Sequence, residues 1–268
     1  MEFRIVYIAE LVGKMGVFAV KKKLPELRRR FTPDVIVANA DGVTGGAGIG
    51  KNHAIYLRKL GITVLTGGDN IYLKKDTVES FPLIAHLIRP ANFSAESPGK
   101  GWRSVTTPKG KIAIVSLIGQ SGFPRIHGDN PFVRFTPLVE HVKKENPCII
   151  VDYHGATTAE KQAFGFFADG KVTAVIGSHG RVQTAGARVL PGGTGVIIDA
   201  GRTGCLNSVG GYEPGSRIRS YITGISDWGR EAVGSPENPV CIQGVCITAD
   251  ETGLCIGIEA FSIPVEGE

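Results

Sequence analysis

Three short apolar runs, Phe3–Ala9, Pro33–Asn39 and Ile62–Thr66, each end in a polar loop that leads into apolar positions three and four residues apart. Unbroken apolar runs of this length read as strands buried on both faces, and the 3.6-residue period reads as helices that cover them. The first helix is expected from about Gly16 to Phe31, with Val17, Val20, Leu24 and Leu27 on one face. A second runs to about Leu60 and a third covers about Lys75 to Leu87. Arg103–Thr107 and Lys111–Leu117 are predicted to pair as a hairpin turned at Pro108-Lys-Gly110, because Pro and Gly supply the turn dihedrals. Helices at 133–145 and 158–168 frame two more apolar runs, Cys148–His154 and Ala174–Gly177. The late runs Thr194–Asp199, Val240–Ala249 and Leu254–Ile263 alternate more than the early ones and suit antiparallel pairing. Strand, loop and helix in repetition predict the α/β class. A length of 268 residues suits one domain, 1–268, with a core that needs no staples.

Composition narrows the setting. The five cysteines (Cys148, Cys205, Cys241, Cys246, Cys255) are odd in number and form no CxxC pair, so they read as reduced packing residues and disfavour a zinc ribbon. Glu2 and Arg4 interrupt what would have to be a signal region. No stretch reaches the roughly 20 apolar residues of a membrane span, so a cytoplasmic location without membrane contact is expected. The net charge of +5 is concentrated in Lys21-Lys-Lys23 and Arg28-Arg-Arg30, which read as a solvated face. A basic face can attract nucleic acid or anionic substrates, but without interleaved aromatics this is no strong nucleic-acid signal.

The chemistry gathers where strands end. Glu10, Asp41, Asp69 with Asn70, His154, and His179 with Arg181 all stand at the carboxyl ends of predicted strands, the edge where open α/β sheets bind ligands. Carboxylates and imidazoles brought from five strand ends suit a borderline divalent metal (Fe, Mn or Zn) that keeps positions for water. Each residue alone is as well explained by a turn, a cap or a buried core histidine; the joint pattern is not.

The order Glu-x-Val-Gly, Asn-Ala-Asp-Gly with a Gly-rich continuation, Gly-Asp-Asn, Asp-x-His and Gly-x-His-x-Arg-x-Gln-Thr resembles the calcineurin-like metallophosphoesterases. Within them it is most similar to the bacterial YmdB-like cyclic-nucleotide phosphodiesterases. Leu24-Pro-Glu-Leu27, Arg89-Pro-Ala-Asn92, Val182-Gln-Thr-Ala185 and Leu190-Pro-Gly-Gly-Thr194 extend the likeness over nearly the whole chain. The resemblance implies a four-layer α/β/β/α sandwich of two mixed sheets flanked by helices, and a site of two metal ions bridged by a carboxylate. At the second-ion position the matching residues are Asp41, Asp69, His154 and His179, all able to ligate. At the first they are Glu10, Asp41, Gly42 and Arg181, where a glycine offers no side chain and a guanidinium no lone pair. The family's general-acid histidine is matched by Asn70, which cannot supply a proton.

One ion rather than two is therefore expected, with Arg181 paired to Glu10 or Asp41 as a cation in the position of the missing metal. The implied activity is a weakened phosphodiesterase in which Asn70 and Arg181 stand at the catalytic positions, acting on a phosphate-ester or nucleotide ligand; a homo-oligomer is allowed. The alternative is an inactive module that keeps the fold to bind or scaffold. Gly45-Gly-Ala-Gly-Ile-Gly-Lys51 also nearly fits a phosphate-binding loop, but Asn52 stands where the magnesium-binding Ser or Thr belongs.

Overall fold

A computed structural model describes residues 2–123, 127–226, 232–234 and 238–266. Its first sheet contains β1 (Phe3–Ile8), β2 (Glu10–Leu11), β3 (Val35–Asn39), β4 (Val64–Thr66) and β5 (Leu87–Ile88). The second is built from β6 (Trp102–Thr107), β7 (Gly110–Ile118), β8 (Cys148–His154), β9 (Ala174–Ser178), β10 (Arg188–Val189) and β11 (Gly195–Ile197). The chain then returns to the first sheet with β12 (Arg202–Cys205), β13 (Val240–Ala249) and β14 (Cys255–Val265). The order there is β2-β12-β13-β1-β3-β4-β5, with β14 on β13. The helices are α1 (Gly13–Phe31), α2 (Lys51–Leu60), α3 (Lys75–Ser80), α4 (Pro131–Lys143), α5 (Thr158–Phe167) and α6 (Pro214–Thr223).

Alternation along the strands makes the layers. On β1, Val6 and Ile8 pack with Leu24, Leu27 and Leu57 of α1 and α2, whereas Ile5 and Tyr7 face Ile112, Ile114, Ile150 and Ile176 of the other sheet. Ala113, Val115, Ile149 and Val151 turn the opposite way, onto Phe135 of α4 and Phe164 of α5. Three cores between four layers give the α/β/β/α sandwich. Because both faces of the central strands are buried, those strands read as unbroken apolar runs. The parallel runs β1-β3-β4-β5 and β7-β8-β9-β11 deliver their carboxyl ends to one edge of the sandwich.

Some elements differ from expectation. The helix predicted over 75–87 stops at Ser80. Pro82 has no N–H to continue the ladder, and Phe81–Leu83 tighten into a 3-10 turn that leads into β5. The run Thr194–Asp199 shortens to β11 and lies parallel to β9, with antiparallel pairing only to β10, whereas β13 and β14 pair antiparallel as expected. The 103–117 hairpin forms with Thr107 opposite Gly110. Among the described residues no helix is long and apolar enough to cross a membrane, and all five cysteines are free and buried.

Candidate metal centre

Three loops meet at the shared strand edge. His154 ends β8, His179 follows β9, and Asp69 follows β4 after Gly67-Gly68. Their ligand atoms lie within 4.8 Å of one another, with His154 Nε2 2.8 Å and His179 Nδ1 3.4 Å from Asp69 Oδ1. Asp41 Oδ2 lies 3.7 Å from His154 Nε2. Two imidazoles and two carboxylates form a donor set that fits a borderline divalent ion, and their arrangement is fixed from behind. The ring of Phe123 covers both imidazoles, 4.8 Å from His179 and 6.1 Å from His154 between centroids.

The support lies beneath His154. Its Nδ1 is 3.0 Å from Ser178 Oγ, and Ser178 Oγ donates to buried Asp152 Oδ1 at 2.7 Å. Asp152 also accepts from Asn39 Nδ2 and Thr66 Oγ1. With Nδ1 engaged there, Nε2 is aimed at Asp69 and the cluster, the second-shell arrangement that orients metal-ligating histidines. The ring leaves no room above Gly68, where an added Cβ would fall 2.2 Å from His154 Nε2. Asp41 is held by Gly68 N, Asn70 N and Asn70 Nδ2. Asn70, which the family resemblance matches to a general acid, thus faces a carboxylate as an orienting amide.

Arg181 forms the other half of the site. Its Nε and Nη2 donate to Glu10 Oε1 at 3.0 and 2.6 Å, its Nη2 also to Gly46 O, and its Nη1 to Gly210 O. The guanidinium carbon sits 5.3 Å from the ring centroid of Tyr212, whose hydroxyl also bonds Gly46 O. Of the two partners expected for Arg181 the structure selects Glu10, and Glu10 does not join the Asp69–His154–His179 cluster. Glu10 Oε2 is buried with no partner among the described residues. An added Cβ on Gly42 would fall 2.8 Å from both Arg181 Nη2 and Leu11 O and 3.0 Å from Glu10 Oε1. The guanidinium and the Leu11 carbonyl together occupy the space a side chain at 42 would need. The Gly45–Lys51 loop closes around this cation through the Gly46 carbonyl, while Lys51 N, opening α2, bonds Asp76.

His179 and Arg181 have φ of 84° and 58°, left-handed values that non-glycine residues rarely adopt. A buried ion pair fixes them. Lys161 Nζ of α5 donates to Ser178 O at 3.0 Å and to Asp199 Oδ2 at 2.8 Å, and Gly180 N donates to the same Asp199 oxygen at 2.8 Å. The bonds on both sides of His179 are thus anchored to one pair. Sequence reading did not find Lys161, Asp199, Ser178, Phe123 or Tyr212; only Ser178 carried a signal, from its place at the end of β9 beside His179.

The electrostatics follow from the geometry. Burial opposes a charge on His154, but Asp69, Asp41 and Glu10 outweigh it and push its pKa up to about 9. Burial raises Asp41 to about 6. Burial would also raise Asp69, yet hydrogen bonds from His154 and His179 hold it well below the usual carboxylate range. Arg181 is desolvated, and Glu10 still holds its pKa above the ordinary value.

Chelator-treated protein should lose stability as pH rises above neutral. His154 binds its proton more tightly folded than unfolded, so its contribution is present below about 6.5 and lost as pH rises through about 9. Asp41 has the same sign, but its midpoint at about 6 leaves only the tail of its titration in this window, and Asp69 is ionised throughout. Metal-free protein should lose on the order of 2 kcal/mol between pH 6.5 and 9, roughly 4–8 °C in Tm. A flat or rising Tm over that range contradicts the assignment.

The family model described as YmdB-like protein matches residues 6–261. A Bacillus subtilis protein named 2′,3′-cyclic-nucleotide 2′-phosphodiesterase is 32% identical over 261 residues, covering 97% of each chain. A solved structure titled as a novel phosphatase from Mycoplasma pneumoniae superposes with a TM-score of 0.89 at 28% identity, over 98% of this chain and 94% of that one. A hypothetical protein from Thermus thermophilus gives 0.90 at 25%, over 98% and 100%. These likenesses lend no support to the reading as an inactive module. The metallophosphoesterase sandwich, the ligand cluster at its strand edge and the match over nearly the whole length place the chain in the YmdB-like family, as an enzyme of the phosphoesterase class.

Proposed function

We propose that the protein hydrolyses phosphodiesters, with 2′,3′-cyclic nucleotides as its substrate class, at a centre holding one divalent ion. Asp69, His154 and His179 would hold the ion, with Asp41 beside them. The observation that carries this reading is Arg181 bonded twice to Glu10 in the space beside Gly42, which leaves one side of the site with a ligand cluster and the other with a built-in cation. A bound ion supplies Lewis acidity to a phosphoryl oxygen and acidifies water. Asp41 and Asp69 orient the imidazoles and balance the ion's charge. Arg181 cancels the Glu10 carboxylate that would otherwise repel an anionic substrate. Water adds at phosphorus, one P–O ester bond breaks, and the departing ribose oxygen takes its proton from solvent, since Asn70 has none to give. A five-membered cyclic diester releases ring strain on opening and so demands least of the missing acid. Buried, free cysteines agree with work in the cytoplasm.

Metal-loaded protein should open 2′,3′-cyclic AMP faster than 3′,5′-cyclic AMP or a linear dinucleotide, and chelation should abolish the reaction. Equal rates on all three would contradict the substrate assignment, and no turnover of any diester would contradict the function. Gly42→Asn alone should destabilise by about 1–3 kcal/mol, because the new side chain meets both Arg181 and the Leu11 carbonyl. Gly42→Asn with Arg181→His should be less destabilised than the sum of the singles, as urea unfolding will show. Strict additivity would mean that Arg181 does not occupy that space.

A further inference from the structure

On the β5 side of the strand edge, a groove of about 1180 Å³ opens between the β5–β6 region and α4. Its lining includes Arg89, Lys100, Arg103 and Arg134 with His141, and no carboxylate. None of the four cations forms an ion pair among the described residues. Arg89 follows β5 and is buried, with 6% exposure. Its Nη atoms are tied to the carbonyls of Pro90, Phe93 and Ser94, and its Nε is buried with no partner. These contacts put no carboxylate beside its charge among the described residues, and a buried cation without an anionic partner is costly. Burial works against its charge most, Tyr72 favours it, and the positive field of Arg134 opposes it. The walls between these cations are aromatic: Trp102, edge-on to His141 at 6.0 Å, with Phe81 and Phe93.

Four unneutralised cations exceed what a single phosphate requires, and flat apolar walls suit a planar ring. We propose that this groove is a second ligand site, separate from the metal centre, and that it takes a nucleoside polyphosphate. The phosphates lie along Arg89, Arg103, Arg134 and Lys100, and the base rests against Trp102. Guanidinium groups match phosphate oxygens in bidentate geometry, and the volume admits a whole nucleotide. An anion here also removes the mutual repulsion of Arg89 and Arg134.

The test is isothermal titration of the metal-loaded protein with ADP, ATP and inorganic pyrophosphate, beside Arg103→Ala/Arg134→Ala. Arg89 is left intact because its carbonyl bonds shape the loop. Saturable binding is expected, tighter for ATP than for pyrophosphate and weaker with added salt. In the double variant it should weaken at least tenfold while 2′,3′-cyclic AMP turnover is unchanged. Three results would overturn the proposal: no saturable binding of any probe at millimolar concentration, equal affinity in the double variant, or a variant whose main change is in oligomeric state by sedimentation. Because the readout is binding, it stands or falls independently of whether the metal centre hydrolyses diesters.

Discussion

His154→Ala is expected to remove divalent-metal binding at the cluster and to lower turnover of 2′,3′-cyclic AMP by ~10³-fold, the scale of losing ~4 kcal/mol of transition-state charge stabilisation. His154 is the one imidazole that is both wholly buried and within reach of both carboxylates, 2.8 Å from Asp69 and 3.7 Å from Asp41. Its removal also leaves Ser178 Oγ and Asp152 facing a cavity where the ring had been. The variant should therefore lose metal affinity in equilibrium dialysis while remaining folded, because the three apolar cores do not depend on it. Undiminished turnover in folded His154→Ala would remove the cluster from the mechanism.

Lys161→Met is expected to destabilise by about 3–5 kcal/mol, the cost of leaving a buried carboxylate without its partner. Lys161 and Asp199 are both nearly inaccessible, with side-chain exposures of 3% and 4%, so solvent screens neither charge. Lys161→Met/Asp199→Asn should recover part of that loss, since no bare charge remains and the amide oxygen can still accept from Gly180 N, while the amide nitrogen then faces Gly201 N, whose hydrogen bond Asp199 Oδ1 had accepted. The pair also sets the backbone around His179, so the double variant should bind its ion about 10–100-fold more weakly even when stable. Guanidinium unfolding and metal titration separate the two effects. A double variant as unstable as Lys161→Met would show that the bare charge is not what destabilises it.

These two residues mark the boundary of what the chain discloses before folding. His154 was legible because it ends an apolar run, and strand ends are where α/β sheets gather chemistry. Glu10, Asp41, Asp69, His179 and Arg181 were legible for the same reason. Lys161 lies mid-helix among Glu160 and Gln162, a setting that reads as a solvated face. Only the packing of α5 against β9 turns it inward. Asp199 and Ser178 gain their roles from partners 38 and 26 positions away. The long buried strands carried a signal through burial on both faces. The two-residue strands β2, β5 and β10 are too short for any period, and α6 buries none of its residues, so the burial that gives most helices their pattern is absent. Gly42 was legible only as a missing ligand; its meaning as space for a guanidinium required the fold.

We propose that one metal ion works beside a resident arginine, where the family resemblance implies two ions. The most direct measurement is the metal content of purified, active protein by inductively coupled plasma mass spectrometry, paired with the Mn(II) electron paramagnetic resonance spectrum and turnover of 2′,3′-cyclic AMP on the same sample. One ion per chain, an isolated six-line Mn(II) signal and chelator-sensitive turnover are predicted. Two ions per chain with an exchange-coupled signal, or turnover that persists with no ion bound, would contradict it.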